Sequence, residues 1–153
     1  MVRAADLILI VLDALHPEHY PVLQREIYDV GVRVNQKAPD VRVTKRTRGG
    51  LNIASTVPLK INQETLEAVL REFRIGSGDI VIRSPINVDQ FIDAIEGNKS
   101  YIPSITIINK IDAVDDATRR QLIDAIKPDV CVSAQTGENL PQLKDAIFNA
   151  LGF

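Results

Sequence analysis

The sequence is poor in the residues on which disulfide-rich and zinc-binding proteins depend. Its 153 residues include one cysteine and two histidines. A single cysteine excludes an internal disulfide, and Cys131 lies in the apolar run Val130-Cys131-Val132, which indicates a strand residue rather than a reactive thiol. This composition favours a protein of the reducing cytoplasm.

Long hydrophobic runs are also absent. The longest, residues 7–12, falls far short of the ~20 apolar residues of a membrane span. The N-terminus lacks the basic start, apolar region and cleavage site of a signal peptide. With 18 Lys and Arg against 20 Asp and Glu, no global attraction to nucleic acid or acidic membrane is expected. We therefore expect a soluble cytoplasmic protein with no membrane contact, in which nucleic acid could bind only a local cluster.

Apolar runs and helical periodicity predict an α/β fold. Residues 7–12 and 105–108 are continuous apolar runs, typical of parallel strands that are buried on both faces. Apolar positions with helical spacing follow the first run between residues 22 and 30, and Gly31 can end that helix. Beyond the second run we predict helices at about 116–126 and 140–151, with a strand at 129–132 between them.

Residues 32–98 differ in character and predict a small α+β insertion. Apolar and polar residues alternate over 41–43, 51–53 and 57–61, a pattern that predicts short strands. A helix over about 63–74, a strand at 80–82 and a short helix over 88–95 follow. The predicted organisation is a core segment at 1–31, the insertion at 32–98 and a second core segment at 99–153.

The second apolar run ends in Asn109-Lys110-Ile111-Asp112, a pattern suited to guanine. Guanine presents two neighbouring donors, N1-H and the exocyclic amine, which one carboxylate can accept together. Asp112 supplies that carboxylate, Asn109 can reach the imidazole edge, and the aliphatic stem of Lys110 can cover one face of the base. Ligands of open α/β sheets bind outside the carboxyl ends of the strands, where this motif lies.

A second motif, Ser133-Ala134-Gln135, follows the predicted strand at 129–132. The backbone N-H of Ala134 can donate to guanine O6, and the Ser133 hydroxyl can brace the loop. Taken alone, Asn-Lys-x-Asp is equally compatible with a polar loop whose aspartate caps a helix. The two motifs at the ends of two strands together favour a site for a guanine nucleotide, GTP or GDP.

The order of these segments resembles the Drg (developmentally regulated GTP-binding) proteins of the Obg-type GTPases. The resemblance is carried by AADLILIVLDA at 4–14, by residues 27–35, and by FIDAIEGNKSYIP at 91–103, which leads into the motif at 109–112. It implies a partial P-loop-GTPase-type parallel sheet, comprising its last three strands with helices, interrupted by an insertion resembling a ribosomal-protein domain. It further implies that Asn109, Lys110 and Asp112 bind the base and that Ser133 and Ala134 complete its pocket.

The sequence has no phosphate loop. The pattern G-x-x-x-x-G-K-[ST], whose amides and side chains hold phosphates and Mg²⁺, does not occur, and no glycine has an aspartate three residues before it. The resemblance implies that the complete protein hydrolyses GTP with Mg²⁺. We expect this chain to be an excised or truncated piece that supplies base recognition, holds no Mg²⁺ ligands and has no catalytic residues or hydrolytic activity of its own.

The strongest basic cluster is the turn Lys45-Arg46-Thr47-Arg48-Gly49-Gly50. Arg side chains and backbone amides at such a turn suit phosphate, so Lys45, Arg46 and Arg48 are candidate RNA contacts. No aromatic residue is interleaved to stack on bases, and a solvated hairpin turn explains the pattern as well. The alternative function is therefore a module whose insertion binds RNA, the ribosome or a regulatory protein, in keeping with the translation-associated GTPases that the chain resembles.

His16 and His19 have a spacing found in metal sites, but no further histidine and only a distant cysteine could complete a zinc set. We therefore predict no metal site. Asp13 ends the first strand and can face the nucleotide pocket, but the residue type at this position favours a capping or loop-bracing role.

Overall fold

The computed structural model describes residues 2–153, which alternate between strands and helices. The five α-helices are α1 (His19–Asp29), α2 (Gln63–Glu72), α3 (Val88–Glu96), α4 (Asp116–Ile126) and α5 (Leu140–Ala150). The eight strands are β1 (Ile8–Asp13), β2 (Val32–Val34), β3 (Val41–Lys45), β4 (Leu51–Ser55), β5 (Gly78–Ile82), β6 (Ser100–Ile102), β7 (Ser104–Asn109) and β8 (Val130–Cys131). Short 3-10 turns occur at Val2–Ala4 and Ile111–Ala113. The predicted α/β class is confirmed.

The chain forms two compact units. One combines the residues up to Gln36 with Ser100–Phe153, and the other is Lys37–Lys99. The sequence placed these boundaries at 31/32 and 98/99. The first boundary differs because β2 pairs in parallel with β6, with Val32 beside Ser100, so both short strands belong to the first unit. Neither three-residue strand was predicted.

The first unit is built on a parallel sheet with the strand order β1-β7-β8. The central strand β7 is buried at all positions except Asn109, as its apolar run predicts. One core packs around Leu12 and Ile108. On the opposite face α5 packs over Ile105 and Ile107, with which Leu143, Ala146 and Ile147 are in contact.

Strand β1 departs from the prediction that it is buried on both faces. Ile10 and Leu12 are buried, whereas Leu9 and Val11 are 43% and 53% exposed. β1 is an edge strand, paired with β7 alone. The side chains that cover the face of Ile105 and Ile107 belong mostly to α5, and Leu9 and Val11 are not part of that cluster.

The second unit contains a three-stranded sheet with the order β3-β5-β4, covered on one face by α2 and α3. Leu66 and Leu70 of α2 and Phe91 of α3 pack against Ile80 and Ile82 of β5. β3 is antiparallel to β5, and β4 is parallel to it. The unit is α+β as predicted from the sequence, while its resemblance to a ribosomal-protein domain remains a prediction.

Two local predictions in this unit are wrong. The basic turn after β3 is not a hairpin turn, because β5 lies between β3 and β4. The alternating stretch at 57–61 is not a strand: it is an irregular segment before α2 in which Leu59 and Ile61 point into the core. Alternation arises there because every second residue packs inward, without any ladder of hydrogen bonds.

The helix starts follow local side-chain chemistry. Asn62 caps α2 by accepting from the Thr65 amide at 2.8 Å. Asn87 and Gln90 form a reciprocal capping box at the start of α3, and Asp115 caps α4 by accepting from the Thr118 amide at 2.7 Å. α2 ends at Glu72, two residues earlier than predicted.

Candidate nucleotide-binding site

The carboxyl ends of β7 and β8 lie side by side, because the two strands are adjacent and parallel. Their following loops enclose a cleft of about 200 Å³. All six residues predicted as nucleotide contacts line this cleft, together with one further residue: Asn109, Lys110, Asp112, Ala113, Ser133, Ala134 and Gln135. Sequence reasoning missed Ala113, which follows Asp112 in the 3-10 turn and has no polar side chain to signal it.

Asn109 ties the two loops together. Its side-chain Oδ1 accepts from the Lys110 amide at 2.8 Å and from the Ala134 amide, across the cleft, at 3.1 Å. The backbone of the first loop is also bound to the residue that follows β8, since the Ile111 amide donates to the Val132 carbonyl at 3.1 Å. The positions of both motifs are therefore set by hydrogen bonds within the protein.

Lys110 makes an ion pair with Asp13. Its Nζ donates to Asp13 Oδ2 at 2.7 Å, and Lys110 itself has a φ of 60°, in the left-handed region. Asp13 and Asn109 are register partners at the ends of β1 and β7. The hydrogen bond from Lys110, followed by that from the Leu15 amide at 2.9 Å, lowers the pKa of Asp13 below its usual value. Asp13, for which the sequence favoured a capping or loop-bracing role, accepts from the Leu15 amide in its own loop and also binds the lysine of the motif.

Asp112 is exposed in the first turn of the 3-10 segment and lines the cleft. Within residues 2–153 its carboxylate takes part in no hydrogen bond or ion pair, unlike the carboxylates of Asp13 and Asp115. Both of its oxygens are therefore free to accept hydrogen bonds from a ligand in the cleft.

The second loop is braced by Ser133, which is fully buried. Its Oγ accepts from the Thr136 amide at 3.1 Å, and its carbonyl accepts from the Gly137 amide at 2.8 Å. Gly137 has a φ of 82°, a conformation that glycine adopts without strain. This tight turn leaves Ala134 and Gln135 exposed at the rim of the cleft.

Sequence reasoning also missed Arg119 of α4. Its guanidinium contacts both loops: the Ile111 carbonyl at 3.4 Å, and the two carboxylate oxygens of Glu138 at 3.2 and 3.4 Å. No motif includes this pair, which is 19 residues apart in the sequence. Only the packing of α4 beside the second loop brings it together.

The candidate RNA contacts lie at and after the end of β3. Lys45 and Arg48 are exposed, whereas Arg46 forms an ion pair with Asp79 of β5. The turn is held by Ser77, whose Oγ accepts from the Gly50 amide at 3.1 Å. The positive charge of the cluster is thus partly offset at Arg46.

A larger cleft, of about 740 Å³, lies between α1 and α4 and is lined mainly by apolar side chains. Asp115 lies on its wall but is already engaged in capping α4. This larger cleft lacks the converging free polar groups found around Asp112, so the smaller cleft is the better candidate for a nucleotide. Separately, no helix within residues 2–153 is both long and apolar enough to cross a membrane.

Comparison with known proteins finds one family model and several GTP-binding proteins that are similar to this chain. Residues 48–153 match the family model described as the C-terminal region of the MMR_HSR1 domain. A GTP-binding protein of Methanocaldococcus jannaschii is 45% identical over 99% of this chain and 40% of its own length. The developmentally-regulated GTP-binding protein 1 homolog of Dictyostelium discoideum is 38% identical, and the ribosome-interacting GTPase 1 of Saccharomyces cerevisiae is 33% identical, each over 97% of this chain and 41% of its own length. The chain thus spans about two fifths of these relatives, and it belongs to the Drg family of GTP-binding proteins.

Proposed function

We propose that this chain recognises the guanine base in a Drg-type GTP-binding protein, with the base seated in the cleft between residues 109–113 and 133–135. The observation that carries the proposal is the unpaired carboxylate of Asp112, which lines the same cleft as the exposed loop of Ala134. A carboxylate and a backbone N-H are complementary to the two donors and the O6 acceptor of guanine.

This arrangement selects guanine over adenine. Adenine presents a donor where guanine has O6 and an acceptor where guanine has N1-H, so it would leave Asp112 without its hydrogen bonds. An unpaired, desolvated polar group costs about 1–3 kcal/mol, and more if charged. We expect the aliphatic stem of Lys110, whose Nζ donates to Asp13 at 2.7 Å, to cover one face of the base.

Recognition of O6 involves a rearrangement of one hydrogen bond. The Ala134 amide donates to Asn109 Oδ1 at 3.1 Å in the structure. Guanine binding requires that this N-H be shared between Asn109 and O6 or be transferred to O6. The other hydrogen bond that Asn109 Oδ1 accepts, from the Lys110 amide, stays in place and keeps the first loop in its conformation.

We propose that phosphate binding and metal binding are functions of the complete protein. The relatives are GTP-binding proteins by name, and this chain covers about two fifths of their length. The sequence contains no phosphate-loop pattern. We therefore assign GTP hydrolysis with Mg²⁺, in the cytoplasm, to the whole protein and weak, base-directed binding without turnover to these 153 residues.

Nucleotide titrations monitored by NMR test the proposal. GMP at millimolar concentration should shift the amide signals of residues 109–113 and 133–135, whereas AMP should not. Asp112→Asn should abolish this selectivity and admit XMP, because xanthine carries a carbonyl at C2 and the asparagine amide can donate to it. Asp116→Asn is the matched control, since Asp116 is an exposed carboxylate outside the cleft.

Two results would contradict the proposal: equal shifts with GMP and AMP, or GMP shifts that persist unchanged in Asp112→Asn. Measurable GTP turnover by the pure chain would contradict the proposal that these 153 residues bind the base without hydrolysing GTP.

A second candidate function rests on the basic turn and on the name of the yeast relative, a ribosome-interacting GTPase. We propose that Lys45, Arg46 and Arg48 contact RNA phosphates, with a smaller contribution from Arg46 because Asp79 pairs with it.

The double variant Lys45→Gln, Arg48→Gln should bind RNA more weakly and with a smaller salt dependence. The control replaces Arg71 and Arg74, two exposed cations of the same unit, by Gln; equal effects of both pairs would contradict a specific surface.

A further inference from the structure

The segment that leads from β1 into α1 brings together three metal-ligating side chains. His16 Nδ1 lies 3.0 Å from Glu18 Oε1, and His19 Nε2 lies 4.0 Å from the same oxygen. One ligand atom from each residue can be chosen so that all three atoms are within 4.8 Å of one another. All three residues are exposed.

We propose that His16, Glu18 and His19 bind a divalent transition-metal ion such as Zn²⁺. Two imidazole nitrogens and one carboxylate oxygen form a donor set that proteins use for zinc in sites whose remaining positions are filled by water or substrate. The sequence predicts no metal site, because it offers no further histidine and only a distant cysteine to join His16 and His19. The third donor, Glu18, is recognised only in the folded structure.

The separations suit a small tetrahedral ion. Metal bonds of about 2.0–2.1 Å place neighbouring ligand atoms roughly 3.3 Å apart. The separations of 3.0 and 4.0 Å from Glu18 Oε1 lie on either side of this value, and the two imidazole rings, stacked in the structure, must rotate so that both nitrogens point at the ion. The ion would replace the existing hydrogen bond between His16 and Glu18, since both atoms would become its ligands.

The backbone holds the two histidines on one side of the loop. The His16 amide donates to the Asp13 carbonyl at 2.9 Å, and the Tyr20 amide donates to the Pro17 carbonyl at 3.1 Å. Pro17, between them, restricts its own φ. The imidazole rings are stacked, with centroids 5.3 Å apart and planes 14° from parallel. Because the fold fixes this proximity, metal binding should stabilise the folded state.

The donor set also determines which cations are accepted. Imidazole favours Zn²⁺, Ni²⁺ and Cu²⁺, whereas Mg²⁺ and Ca²⁺ require mostly oxygen ligands, and this site offers one carboxylate. The proposed ion is therefore distinct from the Mg²⁺ expected with a nucleotide. The proposal does not depend on guanine binding, because none of its three residues lines the cleft of Asp112.

Calorimetric titration of the tag-free chain with ZnCl₂ tests the site. His16 and His19 are the only histidines of the sequence, so little competing binding is expected. We expect one Zn²⁺ per chain and no heat from MgCl₂. His16→Gln, His19→Gln and Glu18→Gln should each weaken Zn²⁺ binding by at least about tenfold. Glu26→Gln, which removes an exposed carboxylate of α1, the helix that contains His19, should leave Zn²⁺ binding unchanged.

Imidazole ¹⁵N NMR identifies the ligand atoms. Zn²⁺ should shift Nδ1 of His16 and Nε2 of His19, and circular dichroism should show that the variants remain folded. The proposal is overturned if the chain fails to bind Zn²⁺, if binding survives in folded His16→Gln and His19→Gln, or if Glu26→Gln weakens it as much as Glu18→Gln does.

Discussion

The guanidinium of Arg119 binds both carboxylate oxygens of Glu138, at 3.2 and 3.4 Å, and also contacts the carbonyl of Ile111. Arg119 lies on α4, Ile111 in the first loop of the cleft and Glu138 at the end of the second. The Arg119 side chain thus links the two loops, in addition to the hydrogen bond between Asn109 and the Ala134 amide. Bidentate geometry makes the pair more specific in orientation than a single contact.

Replacing Arg119 should loosen the cleft. Arg119→Met keeps much of the aliphatic stem and removes the charge, so we expect a coupling with Glu138→Gln of about 1 kcal/mol in a double-mutant cycle of urea unfolding. The GMP-induced shifts at residues 133–135 should also decrease. A coupling energy of zero together with unchanged GMP shifts would show that the pair does not position the loops.

The pair of Asp13 and Lys110 should make stability depend on acid pH. The pKa of Asp13 is lowered chiefly by the hydrogen bond from Lys110, so its ionised form is favoured in the folded state. This contribution is fully present above the ordinary carboxyl pKa of 3.8 and is lost as the pH falls below it. Wild type should exceed Asp13→Asn in free energy of unfolding at pH 7, and the two should converge in acid. A difference that is independent of pH would contradict the ion pair.

The sequence predicts elements well where hydrophobic periodicity is long and local. The bounds of α4 agree with the prediction, and β7 is the buried strand that its apolar run indicates. β2 and β6 escaped prediction because three residues are too few to establish a period, and their pairing connects positions 68 residues apart.

The residues predicted as nucleotide contacts lie together for a similarly local reason, while their role in binding stays a prediction. Asn109 to Asp112 and Ser133 to Gln135 are contiguous motifs, and the strands that they follow bring them to one cleft. Arg119, Glu138 and the link from Asp13 to Lys110 depend on tertiary packing between distant segments. No spacing in the sequence reveals these partners.

The core of the second unit should be sensitive to a cavity at Leu70. This side chain is fully buried and packs between α2 and the sheet. Leu70→Ala should lower the free energy of unfolding by about 2–5 kcal/mol, through lost burial and the cavity that remains. Glu72→Ala, an exposed change on the same helix, should have an effect below about 0.5 kcal/mol. Equal effects in urea denaturation would mean that Leu70 does not belong to a closely packed core.

Gly78 and Gly76 provide a test of how closely β3 approaches β5. A Cβ on Gly78 would lie 2.6 Å from the Thr44 carbonyl oxygen, whereas one on Gly76 would meet no atom within 4 Å. Both glycines have a φ outside the left-handed region, so backbone strain does not distinguish them. Gly78→Ala should lower the free energy of unfolding by about 1–3 kcal/mol because the backbone of β3 must move, while Gly76→Ala should be neutral or slightly stabilising.

Thermal unfolding of both variants measures the difference, and hydrogen exchange at Lys45 and Arg46 should increase only in Gly78→Ala. An unchanged stability of Gly78→Ala would show that β3 can shift without cost. The hydrogen bonds that join the turn of Lys45 and Arg46 to Ser77 and Gly78 would then not hold it rigidly.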